Sequence, residues 1–378
     1  MKKKKIAIVV ASVLQVKFFL IPHLNRLSEI YDVTLILNND HPEILASIDL
    51  PITIIQVPIR RKVSIWHDLC ALYALTNLFL KQDFDLVHTM NPKAGLLGIV
   101  AAWFARVKIR VHTFQGEFWV NKEGLARYFF LSLDKLVGFL ATNLLVVSAS
   151  ERDFLIAEGV VSPKKSIVLA NGSIGGVDLE KFKPNWEIRN SIRVNLSISE
   201  QAILFLYMGR LTREKGLVEL IEAFPLFPDD AQVFLLLVGP DEDGIIEEYS
   251  KLIESPNTRI RIAPYTASPE SYMAASDILV LPSHREGFGV VIIEAAAMGV
   301  PAIGSNIYGI SDAVQNEVTG FLFEKENVAD LFEKMQQLAG NPFLRSSMGV
   351  AAALRVKKYF DQKIVIQSFF DYYKLLIK

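Results

Sequence analysis

Short apolar, β-branched runs recur along the chain at 6–10, 33–37, 52–57, 86–88, 109–113, 144–147 and 166–169. Between them lie amphipathic or apolar segments of helical length. A run that is apolar at successive positions has no polar face, so it reads as a strand buried on both sides, and alternation with helices predicts a parallel sheet with right-handed crossovers. The first part of the chain is therefore expected to form a doubly wound α/β domain. After 183–185 the texture turns polar, and a second series begins at 203–208, 233–238, 259–262, 278–281, 301–304 and 320–323. The expected organisation is an N-terminal Rossmann-like domain over 1–183, a second over 184–358, and a C-terminal helix over 359–378 that packs back on the first domain. Two such domains facing each other place a cleft at the carboxyl ends of both sheets, where open α/β sheets bind ligands.

Composition narrows the function classes. The 378 residues are 51% hydrophobic and 21% charged with a formal net charge of -1, which excludes collagen-like, disordered and disulfide-scaffold chains. Such a balance also argues against a general nucleic-acid binder. One cysteine, Cys70, forms no internal disulfide and fits a reducing compartment. Residues 1–180 hold 20 Lys and Arg against 16 Asp and Glu, and the remainder 20 against 25, so the two halves are suited to different partners. Lys2, Lys3, Lys4 and Lys5 and the trio Arg60, Arg61 and Lys62 flank apolar segments, which reads either as attraction to an anionic membrane surface or as solvated charge. The lysines and the run that follows also resemble the first two regions of a secretory leader, but no small-residue cleavage site follows. The run reads equally as a buried strand leading into a helix from about Lys17. The apolar stretches 69–80 and 95–105 fall short of the ~20 residues that span a bilayer.

Two loops carry the chemistry. The run 203–208 ends in Gly209-Arg210-Leu211-Thr212-Arg213-Glu214-Lys215-Gly216, and a helix is expected after it. Cations between a strand's carboxyl end and a helix start, beside free backbone N–H groups, suit a diphosphate. Lys215 precedes its glycine, so the Gly-Lys-Ser/Thr of a P-loop is not matched; ordinary surface charge is the other reading. The run 278–281 leads into Pro282-Ser283-His284-Arg285-Glu286-Gly287-Phe288-Gly289 and then an alanine-rich apolar helix. Here Glu286 stands in the loop, the amides of Gly287, Phe288 and Gly289 lie at the helix start, and Glu294 follows about one turn in. Ionised carboxylates accept paired hydrogen bonds from vicinal hydroxyls, so the pair fits a phosphorylated, polyhydroxylated ligand such as a sugar nucleotide. A structural carboxylate is the alternative for Glu294, and burying it unpaired is costly.

Glu286 and Glu294 at this spacing, with Arg210 and Lys215-Gly216 upstream, resemble the Glu-x7-Glu motif and diphosphate-binding pair of the GT-B retaining glycosyltransferases of family 4 (glycosyl transferases group 1), of the bacterial surface-polysaccharide type. The resemblance spans nearly the whole chain, including Asn171-Gly172-Ser173-Ile174-Gly175-Gly176-Val177-Asp178 and Thr319-Gly320-Phe321-Leu322-Phe323. It implies an acceptor-binding first domain and a second domain for a nucleotide sugar. By it Glu294 would hold the ribose hydroxyls, Arg210 and Lys215 the diphosphate, and Glu286 the transferred sugar; Arg210, Lys215 and Glu286 would carry catalysis. Tyr265 stands near where relatives hold the base, although a structural aromatic is an equal reading. The implied reaction moves a sugar, UDP-linked, with retention onto a hydroxyl of a polyprenyl-diphosphate-linked glycan. It would serve O-antigen or capsule synthesis, in a cytoplasmic enzyme held peripherally at the inner face of the membrane.

One departure matters. Many relatives carry a His-Gly pair after the fifth strand, whereas this chain has Gln115-Gly116 there and His112 earlier. An amide donates to a sugar hydroxyl or phosphate but is no general base. His112 reads as a core histidine or an acceptor-side group, while Lys93 and Lys17 are placed either to meet an acceptor's phosphate or as ordinary helix-start residues. Gln115, Gly116, Lys93 and His112 form the expected acceptor-side set. Asp241-Glu242-Asp243 invites comparison with an Asp-x-Asp metal site, but Arg210 and Lys215 already supply the charge that a metal would bring, so no metal or other cofactor is expected. In 64–80, Ile65, Trp66, Leu69, Leu72, Tyr73 and Leu80 share a helical side, which reads as an interfacial helix or a core-facing crossover. Two rivals to glycosyl transfer stay open: a nucleotide-sugar 2-epimerase of similar fold and a noncatalytic sugar-nucleotide-binding protein. A dehydrogenase is disfavoured because no Gly-x-Gly-x-x-Gly follows the first strand.

Overall fold

The computed structural model describes residues 3–60, 64–253 and 259–377; of the cations named above, Lys2, Arg61 and Lys62 lie outside the described residues. The chain divides into two compact units, Met1–Gly175 with Lys363–Lys378, and Gly176–Gln362. The division falls after Gly175 rather than at 183 because Val177 donates to Phe360 O at 2.8 Å and accepts from Gln362 N at 2.9 Å, which ties the intervening segment to the second unit.

Among the described residues the first unit holds seven parallel strands, β1 Lys5–Val10, β2 Asp32–Leu37, β3 Thr53–Gln56, β4 Leu86–Met90, β5 Ile109–Phe114, β6 Asn143–Val146 and β7 Ser166–Ile167, in the order β3-β2-β1-β4-β5-β6-β7. The continuous run at 6–10 becomes β1, paired on both sides with β2 and β4 and buried throughout that run. Both faces of such a strand are covered, which is why it shows no polar alternation. β7 is shorter than the run 166–169 because it lies at the sheet edge and pairs only with β6.

Helices Ile65–Gln82, Pro92–Phe104 and Gly124–Leu140 connect β3 to β4, β4 to β5 and β5 to β6. All three crossovers run in the same direction along the sheet, so right-handed connection stacks them on one face. In Ile65–Gln82 the core stripe is Ala71, Leu75 and Phe79, while Ile65, Trp66, Leu69, Tyr73 and Leu80 are exposed. Leu72 departs from the expected side and packs toward the core. Helix Gln362–Leu376 buries Val365, Phe369, Phe370 and Tyr373, with the Phe369 ring 4.8 Å from His23 and the Tyr373 hydroxyl hydrogen-bonded to His88.

The second unit holds, among the described residues, β8 Ile203–Met208, β9 Val233–Val238, β10 Ile260–Ala263, β11 Ile278–Leu281, β12 Ala302–Ser305 and β13 Gly320–Phe323, all parallel, in the order β10-β9-β8-β11-β12-β13. One apolar core runs from Phe205 and Tyr207 through Leu217 and Ile221 to Leu331 and Met335. Strand order reverses between β8 and β11, which pair through Ile278 with Phe205 and Leu279 with Leu206. At such a reversal the loops leaving the two carboxyl ends turn apart and leave a crevice. Both motif loops leave from these two strands. Among the described residues no helix is long and apolar enough to cross a membrane.

Candidate active site

The loop after β8 is anchored from beneath by Tyr207, whose hydroxyl donates to Arg210 O at 2.6 Å. Leu211 N donates to Pro240 O at 2.8 Å, which lays the loop along the turn that follows β9. Lys215 closes a tight turn, Arg213–Lys215, and Gly216 follows with φ +68. A Cβ on Gly216 would lie 1.9 Å from Pro282 O, so only glycine lets this loop close on the one after β11. Backbone contact continues at His284 N, which donates to Glu214 O at 2.9 Å.

That approach brings the predicted catalytic groups together. Lys215 Nζ lies 2.5 Å from Glu286 Oε1, and Ser283 Oγ donates to the same oxygen at 3.1 Å. Both side chains of the ion pair are half-buried. Arg210 pairs with Glu242 at 2.9 Å in a more open setting. Around them a second layer of charge is closed on itself: Arg285 bonds Glu214 and His284 Nε2 meets Glu219 Oε1 at 2.8 Å. A third loop presses on the Glu286-Gly287 backbone, since a Cβ on Gly309 would lie 2.5 Å from Gly287 O. Phe288 stands in the expected donor-binding set by its backbone amide, and its ring is packed elsewhere. It is buried against Phe360 at 5.2 Å and contributes only backbone to the start of helix Val290–Ala297.

Glu294 lies in that apolar helix, half-buried. Loss of hydration raises its carboxyl to about 8, opposed by the charge of Lys181 and reinforced by Glu270. Lys181 and Glu270 pair with each other at 3.4 Å. Neither was visible as a site residue in the sequence, where nothing local joins them to Glu294. Tyr265 stands apart, exposed, beyond the carboxyl end of the edge strand β10. The acidic turn is fully engaged by protein: Asp241 caps Ile245 N and Ile246 N at 3.0 Å each, Glu242 holds Arg210, and Asp243 accepts from Arg213 N at 2.9 Å. Among the described residues no three His, Cys, Asp or Glu side chains are grouped to hold a metal ion.

In the first unit the expected acceptor-side residues separate. Gln115, at the end of β5, accepts from Gln15 Nε2 at 3.1 Å. Gly116 N donates to the buried carboxylate of Glu151, which burial and then the neighbouring Glu117 push well above the usual range. This anchor fixes where Gln115 emerges, and Gln15, Glu117 and Glu151 carried no sequence signal. His112 is not an acceptor-side group: its ring lies under Gly95, bonds Thr89 Oγ1 at 2.8 Å, and is lowered by desolvation to about 3. It is a neutral core histidine. Lys93 is half-buried in an ion pair with Asp68 at 2.7 Å, which secures one crossover helix to the next rather than presenting a bare cation.

Residues 188–355 match the model of glycosyl transferases group 1, and 23–172 that of the glycosyl transferase 4-like domain. The chain is 30% identical over 325 residues to the capsular polysaccharide biosynthesis glycosyltransferase CapM of Staphylococcus aureus, covering 85% of each. It is 29% identical to the UDP-Gal:alpha-D-GlcNAc-diphosphoundecaprenol alpha-1,3-galactosyltransferase of Escherichia coli, covering 84% of this chain and 82% of that one. HepE of Anabaena, solved with UDP and glucose, shares the fold with a TM-score of 0.81 at 19% identity over 98% of this chain and 99% of its own. With two doubly wound Rossmann-like units and the paired loops of β8 and β11, the chain belongs to the glycosyl transferases group 1 family and is a glycosyltransferase of the GT-B fold.

Proposed function

We propose that this glycosyltransferase moves a sugar from a UDP-linked donor, with retention of configuration, to a hydroxyl of a polyprenyl-diphosphate-linked glycan during surface-polysaccharide synthesis, capsule or O-antigen. The observation that carries the donor half is the Lys215–Glu286 ion pair at the strand reversal between β8 and β11. A nucleoside diphosphate entering here exchanges the Glu286 carboxylate for its own oxygens on Lys215, and displaces Glu242 from Arg210. Glu286, released, is free to accept from the hydroxyls of the sugar. As the bond to the anomeric carbon breaks, negative charge grows on the leaving diphosphate, and fixed cations in a half-buried setting stabilise that charge more than they stabilise the bound donor. Glu294, one helical turn inside, accepts from the ribose hydroxyls, and such donors favour its ionised form.

The acceptor half rests on the relatives. The Escherichia coli relative is named for an undecaprenol-diphosphate acceptor and CapM for capsule synthesis, and this chain has Gln115 presented at the end of β5 to bond an acceptor hydroxyl. A lipid-borne acceptor sets the enzyme against the cytoplasmic membrane face as a peripheral protein. The test is incubation with a panel of nucleotide sugars and a synthetic polyprenyl-diphosphate glycan, with the product's anomeric configuration read by NMR. Retention with a UDP sugar is expected. An inverted centre, or isomerisation of the donor with no acceptor present, overturns the reading.

A further inference from the structure

At the end of the second sheet opposite the motif loops lies a cavity of about 510 Å³, a volume that small ligands occupy. All the residues that line it belong to the second unit. Its walls are the starts of helices Trp186–Asn195 and Pro342–Tyr359 and the turns that lead into β11 and β12. Asp277, just before β11, lines the cavity, whereas Glu286 stands in the loop after it. β11 has four residues, so about 13 Å of strand separates the two ends. The segment 183–185, which in the sequence shows only a change of texture between domains, gives the cavity Pro184 and Asn185.

The lining holds two guanidinium groups against one carboxylate, and that carboxylate is already engaged. Asp277 accepts from Arg189 Nη2 on Oδ1 at 2.7 Å, and on Oδ2 from the buried Arg193 at 3.2 Å and from Leu204 N at 2.7 Å. Arg189 Nη1 is spread over the carbonyls of Ala274, Ala275 and Ser276. Arg345 is different. Its Nη1 donates to Leu338 O at 2.7 Å and Ala339 O at 3.2 Å, while its Nε and Nη2 meet no acceptor among the described residues. Burial weakens this guanidinium's hold on its proton, with Asp277 opposing the effect and Arg189 adding to it. A half-buried cation with spare donors, set beside a second cation, favours an anion, and a fork of N–H groups matches a phosphate. Phosphate alone would leave most of the cavity empty. The rest is apolar, with Met298 and Val300 buried in the wall and the Trp186 indole 58% exposed at the start of its helix. An indole face stacks on a flat ring. We propose that this cavity is a second ligand site, separate from the loops of β8 and β11, for a phosphate monoester of a ring-bearing small molecule, a sugar phosphate or a nucleoside monophosphate. The phosphate lies on Arg345 and the ring against Trp186. The site does not depend on the reaction proposed above.

Calorimetric titration tests it, with glucose 6-phosphate, UMP and inorganic phosphate each added to the full chain and to Lys215→Ala, whose donor loops are weakened. At least one ring-bearing probe is expected to bind about tenfold or more tighter than inorganic phosphate, and equally well to Lys215→Ala; which of the two binds identifies the source of the phosphate. Arg345→Gln should weaken that binding by ~10- to 100-fold. Trp186→Ala should weaken it about tenfold and leave inorganic phosphate unchanged. Arg345 also bonds the end of helix Val328–Gly340, so a second variant guards against loss of fold: Ser346→Glu, exposed on the same wall, sets a carboxylate beside the site and should abolish binding while melting as wild type does. Absence of binding by both ring-bearing probes, binding no tighter than that of inorganic phosphate, unchanged binding in Ser346→Glu, or binding that is lost in Lys215→Ala and kept in Arg345→Gln would each overturn the second site. A chain that transfers no sugar while these titrations follow the expected pattern leaves the second site standing, and the proposed reaction falls alone.

Discussion

The strand-reversal regions of the two units are built from the same topology and opposite chemistry. In the second unit the loops of β8 and β11 carry Arg210, Lys215 and Glu286: Lys215 is paired with Glu286 across the reversal, and Arg210 with Glu242 in the turn after β9. In the first unit the corresponding segments, after β1 and β4, carry amides: Asn91 Oδ1 accepts from Ala11 N at 3.2 Å, and Gln15 donates to Gln115 at the end of the neighbouring β5. Ionisable groups in and beside these segments are turned inward, with Lys93 on Asp68 and, after β6, Glu151 on Gly116 N. A diphosphate carries its charge to the site and needs cations that are held but exchangeable. A hydroxyl acceptor needs neutral donors and acceptors, because a bare charge beside it would bind the wrong end of the ligand. On the proposed reading, the difference is one of ligand chemistry rather than of fold.

Removing the exchangeable cation should break the comparison most severely. Lys215→Ala is expected to lower kcat/KM by ~10²- to 10³-fold, the usual loss when a preorganised group facing developing charge is deleted. It should melt within a few degrees of wild type, since the pair it leaves is only half-buried. Full activity in a normally folded Lys215→Ala would place the diphosphate elsewhere.

Glu294→Gln comes next, and it separates binding from stability. Loss of a charge-assisted contact to the ribose should raise the donor KM by ~10- to 100-fold while the acceptor KM is unchanged. The folded-state carboxyl is raised to about 8, so the folded chain holds this proton more tightly than the unfolded one. Stability from this group is therefore full below the unfolded value and falls as pH rises toward 8. Glu294→Gln should then be more stable than wild type at pH 8, by ~1 kcal/mol once partial exposure is allowed for, with the advantage vanishing near pH 5. Thermal melts across that range check the sign.

Gln115→Ala carries a smaller expected effect, confined to the other unit. One neutral hydrogen bond to an acceptor hydroxyl corresponds to about tenfold or less, so the acceptor KM should rise by that factor while the donor KM stays fixed. A change in donor KM instead would assign Gln115 to the donor.

How much of this was legible depends on whether a feature is local in sequence. The strands at 203–208, 233–238, 278–281 and 320–323 stand where the apolar runs placed them, because a strand covered on both faces must be apolar at every position. The two charged loops after β8 and β11 were legible because glycines and charges sit together on loops that follow such runs. Lys181 and Glu270 were not, since only folding sets them beside Glu294. Nor was the Glu151 anchor of Gly116, which joins the loop after β5 to helix Ala149–Ala157. Helix Gly124–Leu140 shows a further limit: leucines and phenylalanines occupy both its buried and its exposed sides, so period alone does not say which side meets the core. His112 was ambiguous for the converse reason, as a histidine in a β-branched run is polar by type and buried by position.

The smallest effect concerns how the two units answer acid. His23, His88 and His112, all in the first unit, are lowered by desolvation to about 4, 3 and 3. Each stays neutral when folded and takes a proton when unfolded, so its stabilisation is present above about 6.5 and is lost as pH falls toward the folded value. Asp134, raised to about 6, and Glu151, raised by burial, act in the opposite sense, but they offset only part of three histidines. Between pH 6 and pH 5 the unfolded first unit therefore binds about one proton more than the folded one, worth ~1 kcal/mol. In the second unit Glu294 keeps its proton when folded and stability does not fall over the same interval. Hydrogen exchange followed by mass spectrometry at the two pH values, corrected for the intrinsic rate, should show protection dropping in β1, β4 and β5 but not in β8 and β11. Equal loss in both sheets would mean that the three rings take up protons without opening the first unit.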